Sequence, residues 1–539
     1  MLEEVYFTLN SLTGKKVVRN IQFLSVELYN ILVFVHGLTS RIPNEIDNLL
    51  KLESLGLVEN SLSGSIPVGI FNISTLRMLD LFGNHLSGVL PSNMCHGLHN
   101  LEEIHLGWNN FSGAIPASIS NCSKLIEINL DDNKFSGPIP NSIGNLRRLE
   151  FLSLSANNLT NNLLNGVLPR SIGNVSISVE LLDVGNCVLR GNIPDSIGNL
   201  SNLAYLFLDD NSLTGSISST IWGLQNLREL GLTNISLTGP LPRGLCGLLS
   251  LEYLGLSQNQ ISGSIPGCFS NLTSLRFLDI AFNRLTSTLP MSLWDLKGLI
   301  HLNLSSNLLR GPLAPEMGEL KNLTKLDLSN NQFSGKIPST IWKEKLHHGL
   351  VSWIKLQYLS VRTPPLFNLS KLEILALSYN SISGKIPKEI LNLSKLKYLG
   401  TPFNHLSSSM PSTVSNLEFI NPLGNRLSGN LPVCRSPTSL IQLHLSYNQL
   451  NSQILSDLSQ QSFNLKLLSI KSSNIMGSIP ETMCYNLPKL EELYTGNNQL
   501  FGQIKANLCR CSSLRILLLE DNNLGGSVPR ELGNLTVLQ

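Results

Sequence analysis

The sequence predicts an α/β solenoid, a curved superhelix with a parallel β-sheet along its inner face. Three observations lead there. Phrases such as "LLSLEYLGLSQNQISGSIP" and "LKNLTKLDLSNNQFSGKIP" recur at steps of about 24 residues along nearly the whole chain. Within each phrase the leucines alternate with variable positions, the pattern of a strand with one buried face. An asparagine then follows at a fixed place, with a Gly-x-Ile-Pro element beyond it.

The common frame is L-x-x-L-x-L-x-x-N-x-L-x-G-x-I-P, a leucine-rich repeat. The asparagine slot is filled by Asn60, Asn84, Asn109, Asn133, Asn157, Asn211, Asn259, Asn283, Asn307, Asn331, Asn380, Asn404, Asn425, Asn448, Asn498 and Asn522. His36, Cys187, Ile235 and Ser473 fill it irregularly, and a weak frame around Pro364 bridges Asn331 and Asn380. Roughly twenty repeats result. Each asparagine carries donors and an acceptor for backbone groups in the bend, so the stacked slots should form a ladder. The glycine allows the chain to turn, and the proline belongs where no ladder hydrogen bond is required. One coil cannot bury its leucines alone, so successive coils must stack.

Composition narrows the function. Charged residues make up 14% of the chain and the formal net charge is +2, with the basic residues scattered. This gives no support for nucleic-acid binding or for attraction to an anionic membrane. The apolar run "ILVFV" (31–35) is far shorter than the roughly 20 residues of a membrane span and falls in phase with the repeats. The stretch "MLEEVYFTLN" is acidic where a secretory leader is basic. No leader, membrane helix or direct membrane insertion is therefore expected from this chain.

Asn-x-Ser/Thr acceptor sites nevertheless occur at Asn72, Asn110, Asn121, Asn158, Asn174, Asn199, Asn234, Asn271, Asn303, Asn322, Asn368, Asn392 and Asn534. Several share one phase of the repeat, which would place sugars on the outer side of the coil. Cys95, Cys122, Cys187, Cys246, Cys268, Cys434, Cys484, Cys509 and Cys511 form no C-x-x-C pair. They read as thiols within coils, their pairing undetermined, and neither a metal site nor a cofactor is expected.

With the frame in hand, the chain resembles the extracellular domain of plant leucine-rich-repeat receptor-like kinases and receptor-like proteins, of the flagellin- and elongation-factor-sensing immune type. The resemblance covers most of residues 38 to 342, in phrases such as "LEEIHLGWNNFSGAIPASISNCSKL" and "LDLSNNQFSGKIPSTI". It implies a glycoprotein at the extracellular face of the plasma membrane, binding a peptide or protein ligand in signalling or defence, with a co-receptor ectodomain as a further partner. Family members carry a leader, a cysteine-containing cap, a membrane helix and a serine/threonine kinase; none is recognised here, and the chain is expected to begin and end inside repeats.

Residues 93–137 also align with 482–526 at a constant offset of 389, matching Cys95 with Cys484 and Cys122 with Cys511. Because the register is disturbed between, the expected organisation is a first array over 1–341, an irregular joint over 342–368 and a second, duplicated array over 369–539. The joint, from Trp342 to Pro365, is the expected weak seam.

No enzyme motif appears: there is no H-E-x-x-H, G-x-S-x-G, G-x-x-x-x-G-K-[ST], H-R-D or D-F-G. Recognition remains. Counting the variable positions places Phe82, His105, Trp108, Asp131, Asp132, Asp183, Tyr205, Phe207, Asp209 and Asp210 on the strand face. Trp108 and Phe207 are the expected anchors, and Asp131 and Asp209 set a preference for Lys or Arg in an extended peptide. Two other readings are a non-productive fragment of a duplicated receptor gene and a wall-located repeat protein that binds enzymes.

Overall fold

A computed structural model describes residues 4–6, 29–33, 37–159, 166–338, 369–387, 390, 393–410, 416–429, 439–451, 455 and 464–539. By internal contacts the chain forms two units, Met1–Ser262 and Gly263–Gln539.

In the first unit each repeat contributes a three-residue strand to one parallel ladder, in strict chain order. The strands that bear on function are β1 (Met78–Asp80), β2 (Glu103–His105), β3 (Glu127–Asn129), β4 (Phe151–Ser153), β5 (Leu181–Asp183) and β6 (Tyr205–Phe207). The register never slips: Leu79, Ile104, Ile128, Leu152, Leu182 and Leu206 face one another from strand to strand. These central residues are almost wholly buried, while their flanking neighbours point to the opposite face. The second unit repeats the arrangement, for example from His301–Asn303 through Lys325–Asp327 to Ile374–Ala376. The expected solenoid with its parallel sheet is thus the fold of both units.

The remainder of each coil differs in detail from the simple expectation. After the asparagine slot the Gly-x-Ile-Pro half forms a second, shorter parallel ladder, seen in Ser61–Gly64, His85–Val89, Asn110–Ala114 and Lys134–Ser136. Gly64 ends its strand at φ +82°, a backbone state that a side chain would strain. The proline then precedes a 3-10 turn: Pro67 leads into Val68–Asn72 and Pro116 into Ala117–Asn121. Pro supplies a fixed φ at that junction and forfeits no ladder hydrogen bond. Helical segments are therefore mostly 3-10 turns of three to five residues, with a four-residue α-helix at Met483–Asn486.

The asparagine slot works between coils as well as within them. Asn211 donates from Nδ2 to its own coil at Leu208 and Asp209 (2.9 and 3.1 Å) and to Val184 of the preceding coil (2.9 Å). Its Oδ1 accepts the amides of Cys187 and Leu189, again from the preceding coil (3.2 and 2.8 Å). Irregular slots use substitutes. Cys187 donates its thiol to Leu154 O (3.1 Å), Ser473 donates its hydroxyl to Leu445 O and Lys471 O, and Ile235 simply packs. Burial pushes the Cys187 thiol up to about 12, so this cysteine is an inert structural donor. His36 lies outside the described residues.

The joint over 342–368 also lies outside the described residues, but its two flanks are informative. Lys325, Leu326 and Asp327 pair directly with Ile374, Leu375 and Ala376. Asn380 reaches back to Leu328 O (3.0 Å) and accepts the Phe333 amide (3.0 Å). The coils of Asn331 and Asn380 are nearest neighbours. The weak frame around Pro364 and the seam expected from Trp342 to Pro365 lie outside the described residues.

Not all cysteines are the free thiols that the spacing suggested. Cys95 pairs with Cys122 and Cys484 with Cys511, each bridging adjacent coils behind the strand ladder. Cys246 and Cys268 are disulfide-bonded as well.

Removing the Asn211 side chain leaves the Leu189 amide and the Val184 carbonyl buried without partners. At about 1–3 kcal/mol for each orphaned group, Asn211→Ala should destabilise the first unit by roughly 3 kcal/mol. Native-state hydrogen exchange should then show the Leu189 amide losing protection, whereas Asn234→Ala, at an exposed bend, should leave it protected.

Candidate functional site

Because the central leucine of each strand faces the core, the two residues beside it project to the opposite face. His105, Asp183, Tyr205 and Phe207 occupy these strand positions, all partly buried. Asp183 lies directly across from Phe207 in the ladder, and Ser153 across from Asp183. A second row follows two residues beyond each strand and contains Phe82, Asp131 and Asp209. The third row holds Trp108, Asp132 and Asp210, exposed residues just before the asparagine slot, at φ +52°, +46° and +53°. The ten residues expected on one face are therefore brought together in three parallel rows.

The aromatic residues at one end touch. Phe82 and Trp108 have ring centroids 6.2 Å apart, and with Glu59, His85 and Asn84 they line a concavity of about 680 Å³. Trp108 remains 60% exposed, which leaves most of its indole for a partner. Phe207 is held differently, against the neighbouring strand: a Cβ added to Gly231 would meet its ring at 2.7 Å and Asp209 Oδ2 at 2.2 Å. Gly231 thus provides the floor on which both side chains lie.

The aspartates are not equivalent. Asp183 Oδ1 accepts the Gly185 amide (2.9 Å), and Asp209 Oδ1 accepts the Thr233 amide (2.6 Å). Asp210 accepts from the Asn234 side chain (2.9 Å). These contacts brace the bend after the strand, a use that also appears at Asp80, Asp279 and Asp327. Asp131 is the exception, because its buried Oδ1 has no hydrogen-bond partner. It leans over Gly107, where an added Cβ would meet that oxygen at 1.9 Å. Burial and then the charges of Asp132 and Asp183 push its carboxyl up to about 6. Burial likewise raises Asp183 and Asp209.

His105 stands among carboxylates that the sequence reading left out. Its Nδ1 is 3.5 Å from Asp80 Oδ2 and its Nε2 is 3.1 Å from Glu127 Oε2, with Glu103 beside them. Burial alone would lower the imidazole, but its hydrogen bond to Asp80, the charges of Asp80 and Glu127 and the bond to Glu127 prevail, and it is raised. Counting the positions on either side of each central leucine would have found Asp80, Glu103 and Glu127.

The same count, continued past residue 369, would have found an aromatic face in the second unit. Tyr398 stacks on Phe419 at 4.5 Å, and Phe419 meets His444 at 5.2 Å. Tyr379 and Phe403 stack at 4.6 Å in the exposed row before the slot.

The acceptor asparagines divide by position. Asn72, Asn121, Asn174, Asn199, Asn271 and Asn534 each end a 3-10 turn and are exposed behind the ladder, as one phase of the repeat requires. Asn322 follows such a turn but is engaged with Lys297 O and Lys371 Nζ. Asn110 and Asn158 lie where the second ladder begins, and Asn234 lies in a bend. Asn303 sits on the strand face, where it accepts from Ser305. Asn368 and Asn392 lie outside the described residues.

A repeated coil with a strand ladder and an asparagine ladder defines a leucine-rich-repeat protein. Family models described as "Leucine rich repeat" match residues 99–159 and 242–285, and 75–96, 178–200, 322–343, 371–393 and 513–535. The plant peptide hormone receptor RGFR1, solved in complex with RGF2, superposes with a TM-score of 0.80 at 31% identity, over 96% of this chain and 82% of that one. The Arabidopsis receptor kinase HAESA, solved with the peptide hormone IDA and the co-receptor SERK1, gives 0.71 at 28% identity, over 95% and 81%. Receptor-like protein 35 of Arabidopsis thaliana is 33% identical over 117 residues, 21% of this chain and only 12% of that protein. This chain belongs to the family of plant leucine-rich-repeat receptor ectodomains. Among the described residues no helix is long and apolar enough to cross a membrane.

The folded Asp131 carboxyl keeps its proton up to about pH 6, whereas the unfolded one loses it near 3.8. The folded state therefore binds more protons in that window, and stability falls as pH rises through it. Asp131→Asn should be more stable than the parent at pH 7, by about 1 kcal/mol after solvent screening. Melting curves at pH 4, 5.5 and 7 should show the difference vanish at the lowest pH.

Proposed function

We propose that the chain is the ligand-binding ectodomain of a plant cell-surface receptor, and that its ligand is an extended peptide lying across strands β1 to β6. The observation that carries this reading is the combination of a 60% exposed Trp108 with Asp131, whose buried oxygen lacks a partner. A strand face built only for solubility needs neither. From Asp131 to Asp209 the carboxylates span three strand steps, roughly 15 Å at about 4.8 Å per step. That length suits four or five residues of extended chain carrying Lys or Arg, with Trp108 and Phe207 as aromatic anchors. The solved relatives named above hold peptide hormones, and one holds the co-receptor SERK1, which supports a peptide ligand and a co-receptor ectodomain as partners here.

A binding role without catalysis is in keeping with the receptor-ectodomain relatives. Disulfides between coils and exposed acceptor asparagines behind the ladder support a glycosylated domain outside the plasma membrane, since such bridges persist in oxidising compartments. The placement among flagellin- and elongation-factor-sensing defence receptors rests on the phrases between residues 38 and 342. The duplication reading gains support from the two bridges: Cys95–Cys122 and Cys484–Cys511 both span 27 residues and correspond at the offset of 389.

Binding of Arg-containing peptides of about ten residues should be measured in chelator-containing buffer by fluorescence anisotropy, with Glu-containing peptides as the counter-set. Trp108→Ala should weaken the Arg set by about thirtyfold, the scale of a buried aromatic anchor. Asp131→Asn should cost about five- to tenfold. Lys124→Ala and Ser142→Ala, behind the ladder, should bind as the parent does. Equal affinity in all four variants, or preference for the Glu set, would remove this site.

A further inference from the structure

We propose that His105, Glu103 and Glu127 form a divalent-metal site of the zinc class on the strand face, with Asp80 orienting the histidine. The argument begins with register. Strand β2 lies between β1 and β3, so Glu103 sits directly opposite Glu127, and His105 directly opposite Asp80. All four side chains leave the ladder on the same side. Their spacing then brings one ring nitrogen of His105 and one oxygen each from Glu103 and Glu127 within 4.8 Å of one another, and Nε2 already lies 3.1 Å from Glu127 Oε2. Ligand atoms around a bound zinc ion stand about 3–3.5 Å apart. Two glutamates with three side-chain torsions each close that difference without moving the backbone.

The imidazole is already set for such a role. Asp80 Oδ2 faces Nδ1 at 3.5 Å, the arrangement in which a carboxylate holds the outer nitrogen and leaves Nε2 to a metal. An ion pair alone explains the group less completely. One imidazolium carries a single charge among Asp80, Glu103 and Glu127, and among the described residues no lysine or arginine pairs with Glu103 or Glu127. A divalent ion bound to the neutral imidazole would cut that excess from two negative charges to one. The donor set of one imidazole nitrogen and two carboxylate oxygens, with no thiolate, selects a borderline ion such as Zn²⁺ over Cu(I) or Ca²⁺. Three protein ligands leave a fourth position open. His105, Glu127 and Asp80 share with Val58, Phe82, Asn129 and Phe151 the lining of a small concavity of about 250 Å³, from which a carboxylate or water would complete the coordination.

The site stands independently of the peptide reading, because the peptide assay is run in chelator and the metal assay without peptide. The full chain, stripped with chelator, is titrated with ZnCl₂ by isothermal calorimetry near neutral pH. One tight equivalent is expected in the parent. His105→Gln and Glu127→Gln should each weaken it by a hundredfold or more, and Asp80→Asn, acting through the ring, by roughly ten- to a hundredfold. His99→Gln, at an exposed histidine behind the ladder, should bind within twofold of the parent. Circular dichroism melts of the metal-free variants establish that each is folded, and either ligand variant suffices if the other is not. Absence of a tight equivalent in the parent, or its survival in a folded His105→Gln or Glu127→Gln chain, overturns the proposal.

Discussion

The described coils contain a bend whose backbone amides and carbonyls are largely buried. The asparagine slot is what makes that tolerable. A side chain with one acceptor and two donors serves its own coil and the previous one at once, as Asn84 does with Leu81 O, Leu57 O and the Leu62 amide. Hydrophobic stacking would hold the coils together at many rotations and offsets. Because the asparagine bonds fix both, the central leucines stay in register and the strands pair without slippage. The substitutes at Cys187 and Ser473 keep that function, each still donating to a carbonyl of the preceding coil, whereas Ile235 fills its slot by packing alone.

That constraint also explains why a surface is free for recognition. Packing is assigned to the central strand residue and polar satisfaction to the slot, so the positions flanking each leucine carry little structural duty. Their side chains vary from Asp80 and His105 to Phe151 and Tyr205 without disturbing the ladder. The freedom is incomplete, however. Aspartates at the end of a strand cap the amide two residues on, so Asp183 spends one oxygen on Gly185. A carboxylate is available in full only where another group has taken over the bend. At Asp131 the amide is instead satisfied by Asn129, and the aspartate oxygen is left over.

Most of the fold was legible in the sequence because the repeat makes each residue's environment predictable from its phase. Leu278 and Asn283 occupy the core and the slot for the same reason as their counterparts a coil away. What phase could not reveal was anything depending on two coils together. The disulfides between Cys95 and Cys122, and between Cys484 and Cys511, join residues at slightly different phases, and spacing alone leaves their pairing open. The gap between Asn331 and Asn380 spans two periods, yet the two coils touch, a fact about space that no period encodes. The candidate site was read in part for a similar reason. Counting the variable positions placed Phe82 and Trp108 on the strand face, where their rings meet, but it passed over Asp80, Glu103 and Glu127, which approach His105 across strands.

Charge on the ladder face follows from the same geometry. Neighbouring strands place like positions about 4.8 Å apart, so a carboxylate repeated in one row faces its own kind at every step. Glu103 against Glu127 is such a pair: burial and then the Glu127 charge push the Glu103 carboxyl upward, as burial and the charges of Asp132 and Asp183 do for Asp131. A chain with a free choice of side chain at these positions could relieve the repulsion with one lysine. Here the rows near β1 to β6 instead retain acids around one histidine and a few aromatic rings. The acids beside His105 favour its charged form, but Asp131 gives folding nothing, because burial holds it in a state that costs stability at neutral pH. A cation arriving there, whether the Lys or Arg of the proposed peptide or the proposed metal ion, would offset that cost.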